Sequence, residues 1–215
     1  MSPEEEVDLR FYTAIGRCIT AWAHVEDELA AIYMEAIGAP NSAPAFASFY
    51  AVQSPEVKIS ITHSAVSMRL ASGDVLSRWK SLYNRATKRR KTRNAIAHYQ
   101  VMINPQAKRD KQYELRPMIR DLNNIAKYGP DPLRGYPVFT QHMIEAAERS
   151  LWALSRDLKM YAYVLGLFLG QRAREPALDQ RLDPELLRLS ALSATEIGLP
   201  PEWPRRSVPR LNDQA

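Results

Sequence analysis

Phe11, Ile15, Cys18, Trp22, Val25, Leu29, Ile32 and Ala36, within FYTAIGRCITAWAHVEDELAAIYMEA (residues 11–36), recur at spacings of 4-3-4-3-4-3-4. Residues three and four apart share a helix face, so the pattern predicts one long α-helix with a continuous apolar stripe. Gly38, just past the stripe, is where such a helix stops. A stripe this long is unstable in water alone and needs other helices to cover it.

Three further segments answer that need. Ser54-Pro55-Glu56 pairs a capping serine with a proline at the first helical position, opening a second helix to about Ala71. Gly73-Asp74 interrupts, and a third helix runs from Val75 to about His98 with Asp74 as its N-cap. Thr140 precedes a fourth, in which Ile144, Ala147, Leu151, Leu154, Leu158, Tyr161, Leu165 and Phe168 repeat at heptad spacing. Four stripes bury one another most simply as an all-α, four-helix bundle over residues 1–170.

Two stretches depart from the helical pattern. Residues 99–103 and 112–116 flank a polar turn, Asn104 to Lys111, and read as a short β-hairpin within an insertion at about 99–138. The insertion continues from Asn123 to Pro137 as a Pro/Gly-punctuated loop. Residues 171–215 lack a core of their own. Rich in proline and arginine, they read as an arm packed on the bundle or on a partner, or else extended or partly disordered, with one short helix after Asp183-Pro184.

With 46% hydrophobic residues in 215, the chain can bury one good core. Twenty-nine Lys+Arg against 24 Asp+Glu leaves +5, a balance that suits a polyanionic partner. The single cysteine, Cys18, lies in the first stripe and reads as a buried thiol, which excludes a disulfide or a cysteine zinc site within one chain. Met1 to Glu6 is acidic and no secretory signal, and the most apolar run, Tyr161 to Gly170, is too short for a bilayer. The expectation is a soluble cytoplasmic protein. There is no Gly-rich phosphate loop and no nucleophile elbow, so no cofactor is expected.

The third helix carries the functional signal. Its core stripe is Val75, Trp79, Leu82 and Ala86, and continuing it reaches Arg93 and Ile96. Arg93 therefore faces inward, where a guanidinium needs a carboxylate or phosphate partner. Asn94 and His98 occupy another stripe with Asn84, Thr87 and Lys91, which is polar and basic. At about 100° per residue, Asn94 and His98 lie about 40° apart, whereas Arg93 and His98 diverge by about 140°. Just upstream stand Arg85, Lys88, Arg89, Arg90 and Lys91, a run suited to holding a phosphate backbone or, alternatively, to a solvated helix C-terminus. Glu26 borders the first stripe, about 40° from Trp22, and is the carboxylate expected to pair with Arg93, whether as an orienting contact or a purely structural one.

Arg93-Asn94-x-x-x-His98 resembles the Arg-x4-His form of the signature of HEPN (higher eukaryotes and prokaryotes nucleotide-binding) domains, many of which are metal-independent RNases. Trp22-x-x-x-Glu26 looks like the first helix of some bacterial HEPN-like proteins. The resemblance covers about residues 5 to 170 in helix order and leaves the hairpin and arm outside. It implies a homodimer in which two copies of the third helix cross and bring both Arg93/His98 pairs into one cleft. It also implies a toxin or defence setting, with an antitoxin or defence-system protein as partner. Toxins of the family carry His-x-Tyr, whose tyrosine a partner nucleotidyltransferase modifies. Here Tyr99 follows His98 directly and Gln100 holds the second position, a departure that speaks against such a partner, and Tyr99 is taken as a supporting residue.

The implied chemistry is cleavage of single-stranded RNA by its own 2′-hydroxyl. His98 would move protons, Arg93 would neutralise charge growing on phosphate, and Asn94 would bind the phosphate or hold the imidazole. The alternative is a non-catalytic HEPN-like dimer that binds RNA or serves as an assembly subunit, with His98 a cation at the helix C-terminus. His24 with Asp27 or Glu28 has metal-ligand spacing but reads as a solvated pair, and His63 shares a stripe with Ile59, Val66 and Leu70 and reads as a core residue.

Overall fold

The structure, a computed structural model, describes residues 3–70, 72–104, 113–117 and 137–191. Its described elements are α1 (Pro3–Ala36), α2 (Ala43–Ala51), α3 (Pro55–Arg69), α4 (Asp74–His98), β1 (Gln100–Ile103), β2 (Tyr113–Arg116), β3 (Phe139–Thr140), α5 (Gln141–Phe168), α6 (Pro176–Asp179) and α7 (Pro184–Ala191). Helix accounts for 76% of the interpretable residues, as the four stripes require. None of the described helices is long and apolar enough to cross a membrane.

The stripes of α1 and α5 form most of one buried cluster. Phe11, Cys18, Trp22, Val25, Leu29, Ile32 and Ala36 of the first pack with Ile144, Leu151, Leu154, Leu158, Tyr161, Leu165 and Phe168 of the second. The two helices run the same way. His24 packs on Trp152 with ring centroids 4.7 Å apart and the planes tilted by 39°, and Glu35 near the end of α1 bonds Arg172 just beyond α5. Helix α4 opposes them, since Tyr161 donates to the Val75 carbonyl at 3.2 Å while Arg85 pairs with Asp157 at 2.7 Å. Helix α3 opposes α4 in turn, with Glu56 against Arg90 and His63 against Trp79.

Helices α1 and α3 thus share a direction, and two consecutive parallel helices need a return path. Helix α2 is that path, and periodicity in so short a segment gave no sign of it. Its start carries the same signal as the next helix: Ser42 accepts from the Ala45 amide at 3.3 Å, with proline in the first turn. Phe49 is buried against Tyr33, and Tyr50 donates to Asp27.

The hairpin forms as expected, with Gln100 opposite Arg116 and Ile103 opposite Tyr113. An unanticipated third strand, β3, sets Phe139 opposite Leu115. Both residues are buried, and Tyr113 packs on Phe11, so the sheet closes the end of the bundle where α1 begins and α4 ends. The rest of the turn after Asn104, and the insertion from 118 to 136, lie outside the described residues, as do Ala71 and positions 192–215.

Two boundaries differ in detail. The N-cap of α4 is Gly73, at φ 100°, and Asp74 is the first helical residue; no side chain caps this end. A left-handed residue joins α3 to α4 so tightly that Asp74 is carried past the cap position, where it pairs with Arg188 at 2.7 Å. Thr140 is the N-cap of α5, but its hydroxyl makes no capping bond.

The described part of the arm packs on the bundle. Asp183 caps α7 by accepting from the Leu186 amide at 2.8 Å, and Leu186 and Leu189 are buried in the core. Arg78 of α4 pairs with Asp183 and Glu185, each at 2.9 Å. The arm explains why residues 160–166 are buried without a break, although one helix face should meet solvent. Gly166 serves the same junction. A Cβ there would stand 2.8 Å from the Arg172 Cδ and Cγ, so its absence lets Arg172 cross α5 to reach Glu35.

Candidate functional site

Helix α4 carries Arg93, Asn94 and His98 in its last two turns. Arg93 is half-buried, its Nη1 donates to Asn94 Oδ1 at 3.2 Å, and its Nε is buried without a hydrogen-bond partner among the described residues. It lies close enough to Cys18 to act on that thiol through space. His98 is exposed and makes no hydrogen bond or ion pair with described residues. The structure therefore joins Arg93 to Asn94 and leaves His98 open to solvent on the neighbouring stripe. The divergence expected from helix geometry is present within one chain.

Glu26 is not the partner of Arg93. Its carboxylate accepts from Trp22 Nε1 at 2.7 Å, one turn earlier on α1, and from Lys58 Nζ of α3 at 2.7 Å. The pairing expected from helix-wheel reasoning fails because another cation is nearer. The Lys58 stem is buried under α2, and its ammonium lies 5.7 Å from the Phe49 ring centroid and 4.9 Å from that of Tyr50. Only a lysine lying beside the stripe of Ile59, Thr62 and Val66 hinted at this in the sequence.

The basic run divides into committed and open members. Arg85 is paired with Asp157, and Arg90 with Glu56. Lys88 and Lys91 are exposed and Arg89 is half-buried, and none of the three has a partner among the described residues. Lys88, Lys91 and His98 thus share the outward side of α4, whereas Arg89 lies toward the side of Leu82 and Ile96. Tyr99 caps the C-terminus of α4 and turns its ring edge-on to Phe139 at 5.9 Å, so it anchors the helix end on the sheet.

The remaining candidates have structural surroundings. His63 is half-buried, stacks on Tyr83 at 4.1 Å, and accepts from Trp79 Nε1 at 3.1 Å. His24 packs against the Trp152 ring, and Asp27 is taken by Tyr50. Among the described residues no group of three metal-binding side chains converges. Cys18 is a buried free thiol pushed up to about 11, first by burial and then by Glu148, with Arg93 acting in the opposite sense. A cleft between α1 and α5, lined by Thr13, Gly16, Arg17, Thr20, Glu148 and Trp152, contains none of the candidate residues.

Compared with protein-family models, curated proteins and solved structures, the chain matches none. What the fold and site define is a class: a helical bundle closed at one end by a small antiparallel sheet, with a basic, solvent-open stripe ending in a histidine.

Proposed function

We propose that this protein is a metal-independent endoribonuclease of toxin or defence type, acting on single-stranded RNA as a HEPN-like homodimer. The observation that carries the reading is the arrangement on α4, where an inward Arg93 is hydrogen-bonded to Asn94 and an open His98 lies one turn further on. Lys88, Arg89 and Lys91 would hold the phosphate backbone without reading bases. His98 would accept the 2′-hydroxyl proton as that oxygen attacks phosphorus, and an imidazolium would return a proton to the departing 5′-oxygen. The products are a 2′,3′-cyclic phosphate and a 5′-hydroxyl. Arg93 and Asn94 would stabilise the charged phosphorane oxygens. Because Arg93 and His98 diverge on one helix, the complete site takes Arg93 from one copy and His98 from the other.

One observation favours a second reading. His98 lacks the described hydrogen-bond partner that would set its tautomer in a preorganised site, which suits a dimer that binds RNA without cutting it. Purified protein with EDTA and single-stranded RNA separates the two. Nuclease activity predicts cleavage in the wild type, none in His98→Ala, and an intact DNA control. If neither protein cuts yet both bind RNA, the binding reading stands; if both cut equally, His98 is not the catalytic base.

A further inference from the structure

Three buried polar atoms along a diagonal row that winds across α4 have no hydrogen-bond partner among the described residues: Thr87 Oγ1, Arg90 Nε and Arg93 Nε. Residues three apart are neighbours on a helix surface, so the three side chains adjoin in one row. A buried guanidinium N–H without an acceptor is costly and marks a place where an acceptor belongs. Glu56, in the first turn of α3, engages Arg90 through Nη1 alone. The two partners differ sharply in setting, since the Arg90 side chain is 14% exposed and that of Glu56 is 65% exposed.

We propose that Thr87, Arg90 and Arg93 form a phosphate-binding site and that Glu56 occupies its mouth in the ligand-free chain, competing with the incoming phosphate. The Arg90 fork offers Nε and Nη side by side, matched to a tetrahedral oxyanion with several acceptor oxygens. Glu56 engages Nη1 and leaves Nε without an acceptor. Two guanidinium groups against one carboxylate leave the row positively charged, and Arg93 spends its other bond on the neutral Asn94 amide. An exposed glutamate at a helix start can swing into water at little cost. When it does, the Arg90 head is freed to turn both donors to a phosphate. That the natural anion is the RNA backbone rests on the proposed function; the site itself does not.

The test uses the full chain and isothermal titration with two probes, inorganic phosphate and a 2′-O-methyl single-stranded RNA that cannot be cleaved. Glu56→Gln removes the competitor and should bind phosphate roughly threefold to tenfold more tightly than wild type. Arg90→Lys keeps the charge and the Glu56 pairing but loses the fork, and should abolish that gain when combined with Glu56→Gln. A Glu56→Gln protein that keeps its wild-type circular dichroism and binds phosphate no more tightly overturns the proposal. So does a gain that survives Arg90→Lys. Should phosphate behave as expected while the 2′-O-methyl RNA fails to bind, the anion site stands and the RNA reading falls.

Discussion

Lys58 of α3 sets its ammonium 2.7 Å from the Glu26 carboxylate of α1, and both side chains are largely withdrawn from water, 7% and 15% exposed. A pair that deep is tolerated because each partner supplies the opposite charge and the hydrogen bond that the other needs. Trp22 Nε1 satisfies a further lone pair of Glu26, and two aromatic faces flank the ammonium. The same contact ties α3 to α1 through the space that α2 roofs.

Removing one member should be severe. Lys58→Ala leaves Glu26 buried and uncompensated and should lower unfolding free energy by about 3–5 kcal/mol in urea. The double variant Lys58→Met with Glu26→Gln should recover a large part of that loss. Arg93→Ala should show little coupling to Glu26→Gln in a double-mutant cycle. Strong coupling there would mean that Glu26 serves Arg93 after all.

Glu35 gives a pH prediction with a defined sign. The residue is fully buried and burial raises its pKa above 4.5, with Arg172 opposing the rise. A carboxyl whose folded pKa is raised stabilises the native state below the unfolded pKa and loses that contribution as pH rises through the folded value. Wild-type urea midpoints should therefore fall, relative to Glu35→Gln, as pH is raised from about 4.5. Parallel profiles for the two proteins would contradict this assignment.

Gly166 has a steric role that substitution exposes. In Gly166→Ala the new methyl meets Arg172 Cγ and Cδ at 2.8 Å and must push the side chain off Glu35. The expected loss is about 1–3 kcal/mol. It should shrink in a Glu35→Gln background, where a displaced Arg172 strands no charge. An equal loss in both backgrounds would place the cause elsewhere in the helix.

The divided basic run predicts unequal effects on RNA binding. Lys88→Glu and Lys91→Glu should each weaken binding across sequences and reduce the salt slope by about 1. Arg85→Gln should do less, because Arg85 is held by Asp157. Fluorescence titrations over a range of salt read both quantities, and equal slopes for all three variants would remove the distinction.

The heptad-like stripes of α1 and α5 determined the helical class from the sequence alone, since apolar side chains on that repeat can be buried only by other helices. Local chemistry was equally readable: Ser54-Pro55 opens α3, the strands flank their polar turn, and Asp183 starts the arm helix. So was the pairing of Arg93 with the inner side of α4 and of His98 with the outer, because a helix sets those directions by residue count. Partner choice was decided by tertiary structure. Glu26 could reach any cation brought near the first stripe, and it found Lys58 because α2 returns the chain so that α3 runs beside α1. Arg85 and Arg90 look like their neighbours in the sequence, yet helix packing commits them to Asp157 and Glu56. Spacing along a chain specifies which way a side chain points; which charge it meets depends on how separate helices are laid against one another, and no local pattern encodes that distance.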